Sequence, residues 1–203
     1  MDGMNNLDIK KLEEEVKNCK KCSLWKERTN VVFGEGDIHS KIMFIGEAPG
    51  FHEDQEGRPF VGAAGKLLTN LIESLGLKRE EVYIANVLKC RPPNNREPNP
   101  DEIKACYPYL EAQIKIINPR IICTLGRYSA YAILKTPINM SSYHGKTFSI
   151  EGRLVFVTYH PAAALYHAKV MDEIKRDFEK LKDLIEKETS ESKTLTKEQL
   201  SFW

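Results

Sequence analysis

An α/β fold is predicted, a three-layer sandwich with helices on both faces of a central, mostly parallel sheet. Short apolar runs alternate with amphipathic stretches of helical period along the chain. The segments between runs are long enough for the crossovers that parallel strands require. The polar residues that interrupt this pattern fall just after the runs, at the carboxyl edge where such sheets bind ligands.

Each element has its own signal. Leu7, Ile9, Leu12 and Val16 recur at helical spacing among charges, so a short amphipathic helix should end before Cys19. "KIMFIG" (41–46) reads as a buried strand. "AAGKLLTNLIESLG" (63–76) reads as a helix with Leu67, Leu68, Leu71, Ile72 and Leu75 on one face and Gly76 as its stop. "VYIANVLKC" (82–90) is a second strand. "RPPNNREPNP" (91–100) must be a stiff, exposed loop, because its prolines remove donors and bias their neighbours to extended geometry. Residues 101–118 read as a helix, "RIICTLG" (120–126) as a strand and "RYSAYAILK" (127–135) as a short helix. "KTFSIEGRLVFVTYHP" (146–161) reads as a hairpin turning at Glu151-Gly152, and residues 172–187 as a long charged helix.

A chain of 203 residues buries one good core, placed here over residues 1–188. Residues 189–203 turn polar and rich in Ser, Thr and Lys, the composition of a flexible tail, yet close on Leu200, Phe202 and Trp203. A net charge of +1 offers no global argument for a nucleic-acid partner, though a local basic face is compatible with it. No run reaches the roughly 20 apolar residues of a membrane span and the N-terminus lacks a signal-peptide core, so a cytoplasmic protein is expected. In that reducing setting the five cysteines are read first as metal ligands or redox groups. Cys19 and Cys22 form a C-x-x-C pair, and Cys90 and Cys106 add two thiols. Four thiolates suit zinc or an iron–sulfur cluster, and spacing alone does not choose. Cys123, inside an apolar strand, is read as core.

The stretch "GEAPGFHEDQEGRPF" (46–60) poses a problem. A glycine turn after a strand often cradles phosphate. This one carries Glu47, Glu53, Asp54 and Glu56, which would repel it.

Taken together, "GEAPG", "GRPFVG", "ANVLKCRPP", "HPAAAL" and the four-cysteine pattern resemble the family 4 uracil-DNA glycosylases, the thermostable iron–sulfur type of archaea and bacteria. The resemblance runs from about Cys19 to Leu165. It implies a uracil-DNA glycosylase-like fold, excision of uracil from DNA to leave an abasic site for base excision repair, and a structural [4Fe–4S] cluster on Cys19, Cys22, Cys90 and Cys106. Such an enzyme extracts the base, recognises it and stabilises its departure as an anion while the sugar turns cationic. Phe60 offers a ring on which an extruded pyrimidine stacks. The amide of Asn86 matches uracil's N3–H donor and O4 acceptor and mismatches cytosine. The resemblance implies that His160 donates to uracil O2, where negative charge develops. It also sets Glu53 against C5 to exclude thymine's methyl group. Glu47 is expected to orient or activate water and face the cationic sugar, with uracil contact or loop ordering as the rival role. Ala48 stands where family 1 enzymes carry the Asp that positions water.

DNA contacts are expected from Arg58, Lys89, Arg91 and Arg96 through phosphates, from Ala163 in the small-residue run, and from Leu165 as a wedge in the space the base leaves. "KEQLSFW" resembles a sliding-clamp-binding motif with Leu200, Phe202 and Trp203 as its apolar plug, although its spacing departs from the usual one. A tail packed on its own domain is the other reading. A monomer is expected. Two rivals stand beside the enzyme. A non-catalytic, metal-stabilised nucleic-acid binder leaves Asn86 and His160 on one sheet edge without a purpose, and a nucleotide-binding module is opposed by the acids of residues 47–56.

Overall fold

The computed structural model describes residues 2–200. Six strands form one sheet: β1 (Glu35–Gly36), β2 (Ile42–Gly46), β3 (Tyr83–Asn86), β4 (Ile121–Leu125), β5 (Lys146–Ile150) and β6 (Arg153–Thr158), in the order β1-β3-β2-β4-β6-β5. β3, β2, β4 and β6 run parallel, and the edge strands β1 and β5 are antiparallel to their neighbours. The predicted hairpin is β5–β6, and its turn residues Glu151 (φ 48°) and Gly152 (φ 77°) both have the positive φ of a turn that matches strand twist.

Strand alternation sorts the core into two faces. Met43 and Ile45 of β2 pack toward α1 (Asp2–Lys17), α4 (Pro100–Ile117) and α5 (Arg127–Leu134). Ile42 and Phe44 pack toward α3 (Ala63–Ser74) and α8 (Ala168–Leu200), where Phe44 stacks on Phe178 at 6.1 Å. Three layers result, as predicted. α4 begins cleanly because Pro100 needs no donor at its first turn, while the Glu102 carboxylate accepts the Asn99 N–H at 2.8 Å. Cys123 lies buried in β4, as read from the sequence.

Two expectations need correction. The loop after β2 contains a short helix, α2 (Phe51–Glu56), which the run of acids disguised. The composition-based tail begins inside α8, whose backbone is helical as far as Leu200. No Gly or Pro interrupts residues 168–200, so Ser, Thr and Lys alone do not stop the helix. Phe202 and Trp203 lie outside the described residues.

Two small helices complete the frame, α6 (Met140–Tyr143) and α7 (Pro161–Ala164). Asp177 of α8 is wholly buried; it accepts the Thr158 hydroxyl at 2.8 Å and meets His144 Nδ1 at 3.1 Å. The last residue of β6 is thereby fastened to the helical layer behind it.

Candidate active site

A cavity of about 390 Å³ opens at the carboxyl edge of the sheet, where the strand order reverses on either side of β2. Glu47, Ala48, Glu53, Phe60, Asn86, Arg96 and His160 all line it. Residues predicted from four separate segments therefore converge. They arrive on the loop after β2, the end of β3, the proline loop and the turn after β6.

The loop after β2 is held by its own acids. One oxygen of Glu53 accepts the Gly50 N–H at 3.1 Å; the other accepts those of Val61 and Gly62 at 3.0 and 3.2 Å. Both oxygens are thus committed to backbone donors, so Glu53 builds the wall it lines. Buried Asp54 binds the Thr29 N–H at 3.0 Å and ties the preceding segment to α2. Phe60 emerges from this loop with φ 52°, a left-handed conformation costing about 1–2 kcal/mol for a residue with a Cβ. Its ring stacks on the His160 imidazole, centroids 5.5 Å apart and planes 25° apart.

Gly46 makes room for Asn86 and Phe60. A Cβ there would sit 2.3 Å from Asn86 Oδ1 and 2.5 Å from Phe60 Cζ. The backbone of β2 must be bare at this point for the amide and the ring to lie against it. Asn86 is the last residue of β3 and 2 % exposed, and its Oδ1 accepts no hydrogen bond. An orphaned buried acceptor costs about 1–3 kcal/mol, which a ligand's N–H would recover.

His160 caps α7, its Nδ1 accepting the Ala162 N–H at 3.1 Å. The proton of the neutral ring is therefore on Nε2, a donor. Burial lowers the imidazole pKa to about 4 against an opposing pull from Glu53, so the ring is neutral across the ordinary pH range. The Glu47 carboxyl moves the other way. Burial, aided by the charge of Glu97 and opposed by Arg127, lifts it to about 7. Its backbone is pinned by Leu88, whose N–H donates to the Glu47 carbonyl at 3.0 Å.

The four cysteines assigned as ligands gather on the other side of the proline loop. Cys19, Cys22, Cys90 and Cys106 line one pocket with Val16, Leu24 and Leu88. Donors already point at three of the sulfurs. The Lys21 N–H lies 3.5 Å from Cys19 Sγ, Arg28 Nη1 3.3 Å from Cys90 Sγ and the Lys89 N–H 3.3 Å from Cys106 Sγ. Among the described residues no group of three or more His, Cys, Asp or Glu side chains is close enough to hold a single metal ion.

The predicted DNA contacts fare unevenly. Lys89 is 1 % exposed and cannot reach a phosphate; its ammonium turns inward to the Asn86 carbonyl at 2.8 Å and Gln113 Oε1 at 2.6 Å. Arg58 pairs with Glu35 at 2.8 Å and stands away from the cavity. Arg96 lines the cavity, but its fork grips Glu102 at 2.6 and 2.9 Å. Arg91 bonds Asn95 Oδ1 at 2.7 Å and lies over the exposed Phe51 ring. Ala163 is half-buried in α7, and Leu165 is exposed just beyond it. Several site residues escaped sequence reading: Asn95, Ala64 and Ala162 line the cavity, exposed Tyr166 adjoins Leu165, and Glu97 and Arg127 set the field at Glu47. Only Tyr166 had a visible signal, its place beside the predicted wedge.

Such a pocket, apolar on its ring faces and lined by an amide, a neutral imidazole and a carboxyl, is the equipment of a base-excising enzyme. A family model described as the uracil DNA glycosylase superfamily matches residues 33–184. The Type-4 uracil-DNA glycosylase of Sulfurisphaera tokodaii is 55 % identical over 87 % of this chain and 84 % of its own length. That of Saccharolobus solfataricus is 55 % identical over 90 % and 88 %, and that of Archaeoglobus fulgidus 47 % over 89 % and 94 %. The chain belongs to the type-4 uracil-DNA glycosylases.

Proposed function

We propose that this protein flips uracil out of DNA and hydrolyses its N-glycosidic bond, leaving an abasic site. The orphaned Asn86 acceptor at the cavity wall carries the reading. Its Oδ1 accepts the N3–H of uracil and its Nδ2 donates to O4, whereas cytosine would set donor against donor and acceptor against acceptor. The base stacks on Phe60. Neutral His160 donates from Nε2 to O2, where charge grows as the C1′–N1 bond breaks, so the contact strengthens toward the transition state. Ionised Glu47 orients a water toward C1′ and offsets the cationic sugar. The water oxygen bonds to C1′, its proton is released, and uracil departs as an anion. Glu53 shapes the wall that faces C5, and Arg91, Arg96, Arg58, Ala163 and Leu165 meet the DNA strand.

Cys19, Cys22, Cys90 and Cys106 would hold a [4Fe–4S] cluster. Four sulfurs with apolar neighbours and three N–H donors aimed at them suit it. Ligated there, Cys90 and Cys106 would clamp both ends of the proline-rich loop. The enzyme is proposed to work inside the cell. No helix among the described residues is long and apolar enough to cross a membrane.

The test is an oligonucleotide bearing one uracil, incubated with the protein and then cleaved at abasic sites with alkali. Cleavage at the uracil is expected, and an intact protein that yields none sinks the reading. A visible absorbance band that bleaches with reductant is expected of the cluster; a colourless protein carrying zinc would overturn that assignment.

A further inference from the structure

Lys89 is among the largest fully buried side chains of the molecule, and its ammonium donates to two neutral acceptors. Burying an ammonium is costly unless each of its protons finds an acceptor, so its partners identify what it is for. Two protons go to the Asn86 carbonyl at 2.8 Å and Gln113 Oε1 at 2.6 Å, and the Phe33 ring lies 6.0 Å from the ammonium. Gln113, itself 0 % exposed, is held in turn: its Nε2 donates to the Phe33 carbonyl at 2.9 Å and the Tyr83 hydroxyl at 3.3 Å. A chain of buried hydrogen bonds thus runs from α4 through the lysine to the peptide of one residue, the last of β3.

That residue carries the orphaned amide. Its side chain lies in a slot so narrow that a single carbon on Gly46 would touch Oδ1. The last register position of β3 is Asn86 opposite Gly46, and main-chain bonds to the chain after β2 continue past it: the Val87 N–H donates to the Gly46 carbonyl and the Leu88 N–H to the Glu47 carbonyl, each at 3.0 Å. The Asn86–Val87 peptide is thus held at its N–H end by Gly46 and at its carbonyl end by Lys89; with the carbonyl end released the plane could pivot about the remaining bond, and a pivot would shift Oδ1 in its slot. The Lys89 main chain is fixed independently. Its carbonyl accepts the Val32 N–H at 2.8 Å and its N–H points at Cys106 Sγ. The ammonium therefore works from a rigid base.

We propose that Lys89, braced by Gln113, is a positioning residue for uracil recognition, locking the Asn86 carbonyl and through it the amide that reads the base. The proposal rests on Asn86 reading uracil, as argued above, and on geometry.

The test is a double-mutant cycle on the full chain as isolated. Lys89→Met is made alone and together with Asn86→Ala. Single-turnover excision, affinity for the uracil oligonucleotide and visible absorbance per polypeptide are measured. Lys89→Met should slow excision about 10- to 100-fold with DNA affinity within about twofold, and should cost nothing further in the Asn86→Ala background. An equal loss in both backgrounds overturns the proposal, since a lysine that merely supports the fold would act independently of Asn86. Gln113→Met is the second variant, leaving the lysine one brace fewer; a loss of roughly threefold or more with the same dependence on Asn86 is expected. Misfolding or lost absorbance in both variants also overturns it, by assigning the pair to the cysteine pocket. Failure of Asn86→Ala to slow excision would instead refute the base-reading role, and an inactive wild type the glycosylase reading.

Discussion

The two titratable residues at the cavity are tuned in opposite directions by the same burial. Glu47 is held protonated up to about pH 7, while His160 stays neutral down to about 4. If ionised Glu47 serves the water, excision should rise about tenfold per pH unit toward 7 and level above it, with no inflection from His160 between pH 5 and 8. Glu47→Gln should be slow and flat over that range; a retained acid limb in the rate profile would assign the titration elsewhere. Stability follows with the opposite sense. The folded state holds the Glu47 proton more tightly than the unfolded chain does, so stability falls as pH rises from the ordinary carboxylate range through about 7. Glu47→Gln should therefore be more stable than wild type at pH 8, by of order 1–3 kcal/mol, and no more stable near pH 4. Denaturant melts at both pH values check this. Asn86 and Glu47 stand out in the sequence because each breaks a local pattern, an amide in an apolar strand and acids crowding a glycine turn, whereas Phe60 and His160 are singled out by the family resemblance; all four line the same cavity. The inward turn of Lys89 is not legible, because a lysine two residues before an arginine, where a strand runs into a loop, looks like a solvated phosphate contact. Only the tertiary structure turns it inward.

At the scale of elements, the site depends on how closely β2 and β3 approach. Gly46→Ala should abolish detectable excision or slow it by about 100-fold or more, because the added methyl overlaps both Asn86 Oδ1 and Phe60 Cζ. Near-wild-type excision by this variant would mean that neither group reads the base from its observed place. Five of the six strands and the longer helices are readable from apolar runs and period, whereas the two-residue β1 has no such signal and α8 runs to Leu200 instead of residue 187. α2 was missed because Glu53 and Asp54 look like loop acids until their partners are seen. Those partners, the Thr29, Gly50, Val61 and Gly62 N–H groups, are main-chain donors, which sequence does not display. Acids that seemed to argue against a ligand in fact assemble the loop that receives one.

For the whole molecule, charge is balanced locally as well as globally. Arg58 and Arg96 are each matched by a glutamate, so in the proposed DNA contact the phosphates would exchange for existing pairs instead of meeting a bare basic face. Deleting residues 195–203 should leave uracil excision unchanged and abolish retention by an immobilised sliding clamp; equal retention removes Leu200, Phe202 and Trp203 as a clamp ligand. The end of the chain was the least legible region, since a polar composition describes a solvated helix as well as a tail.

The buried Asp177 bond to Thr158 has a counterpart across the sheet in the Lys89 bond to Asn86. One fastens the strand that delivers His160 to α8, the other fastens the strand that delivers Asn86 to α4. The two jaws of the grip are thus bolted to opposite faces of the sheet and share no bolt. On the roles proposed for Asn86 and His160 a nucleobase is what spans them, and the enzyme would gauge its substrate against the spacing of its own sheet.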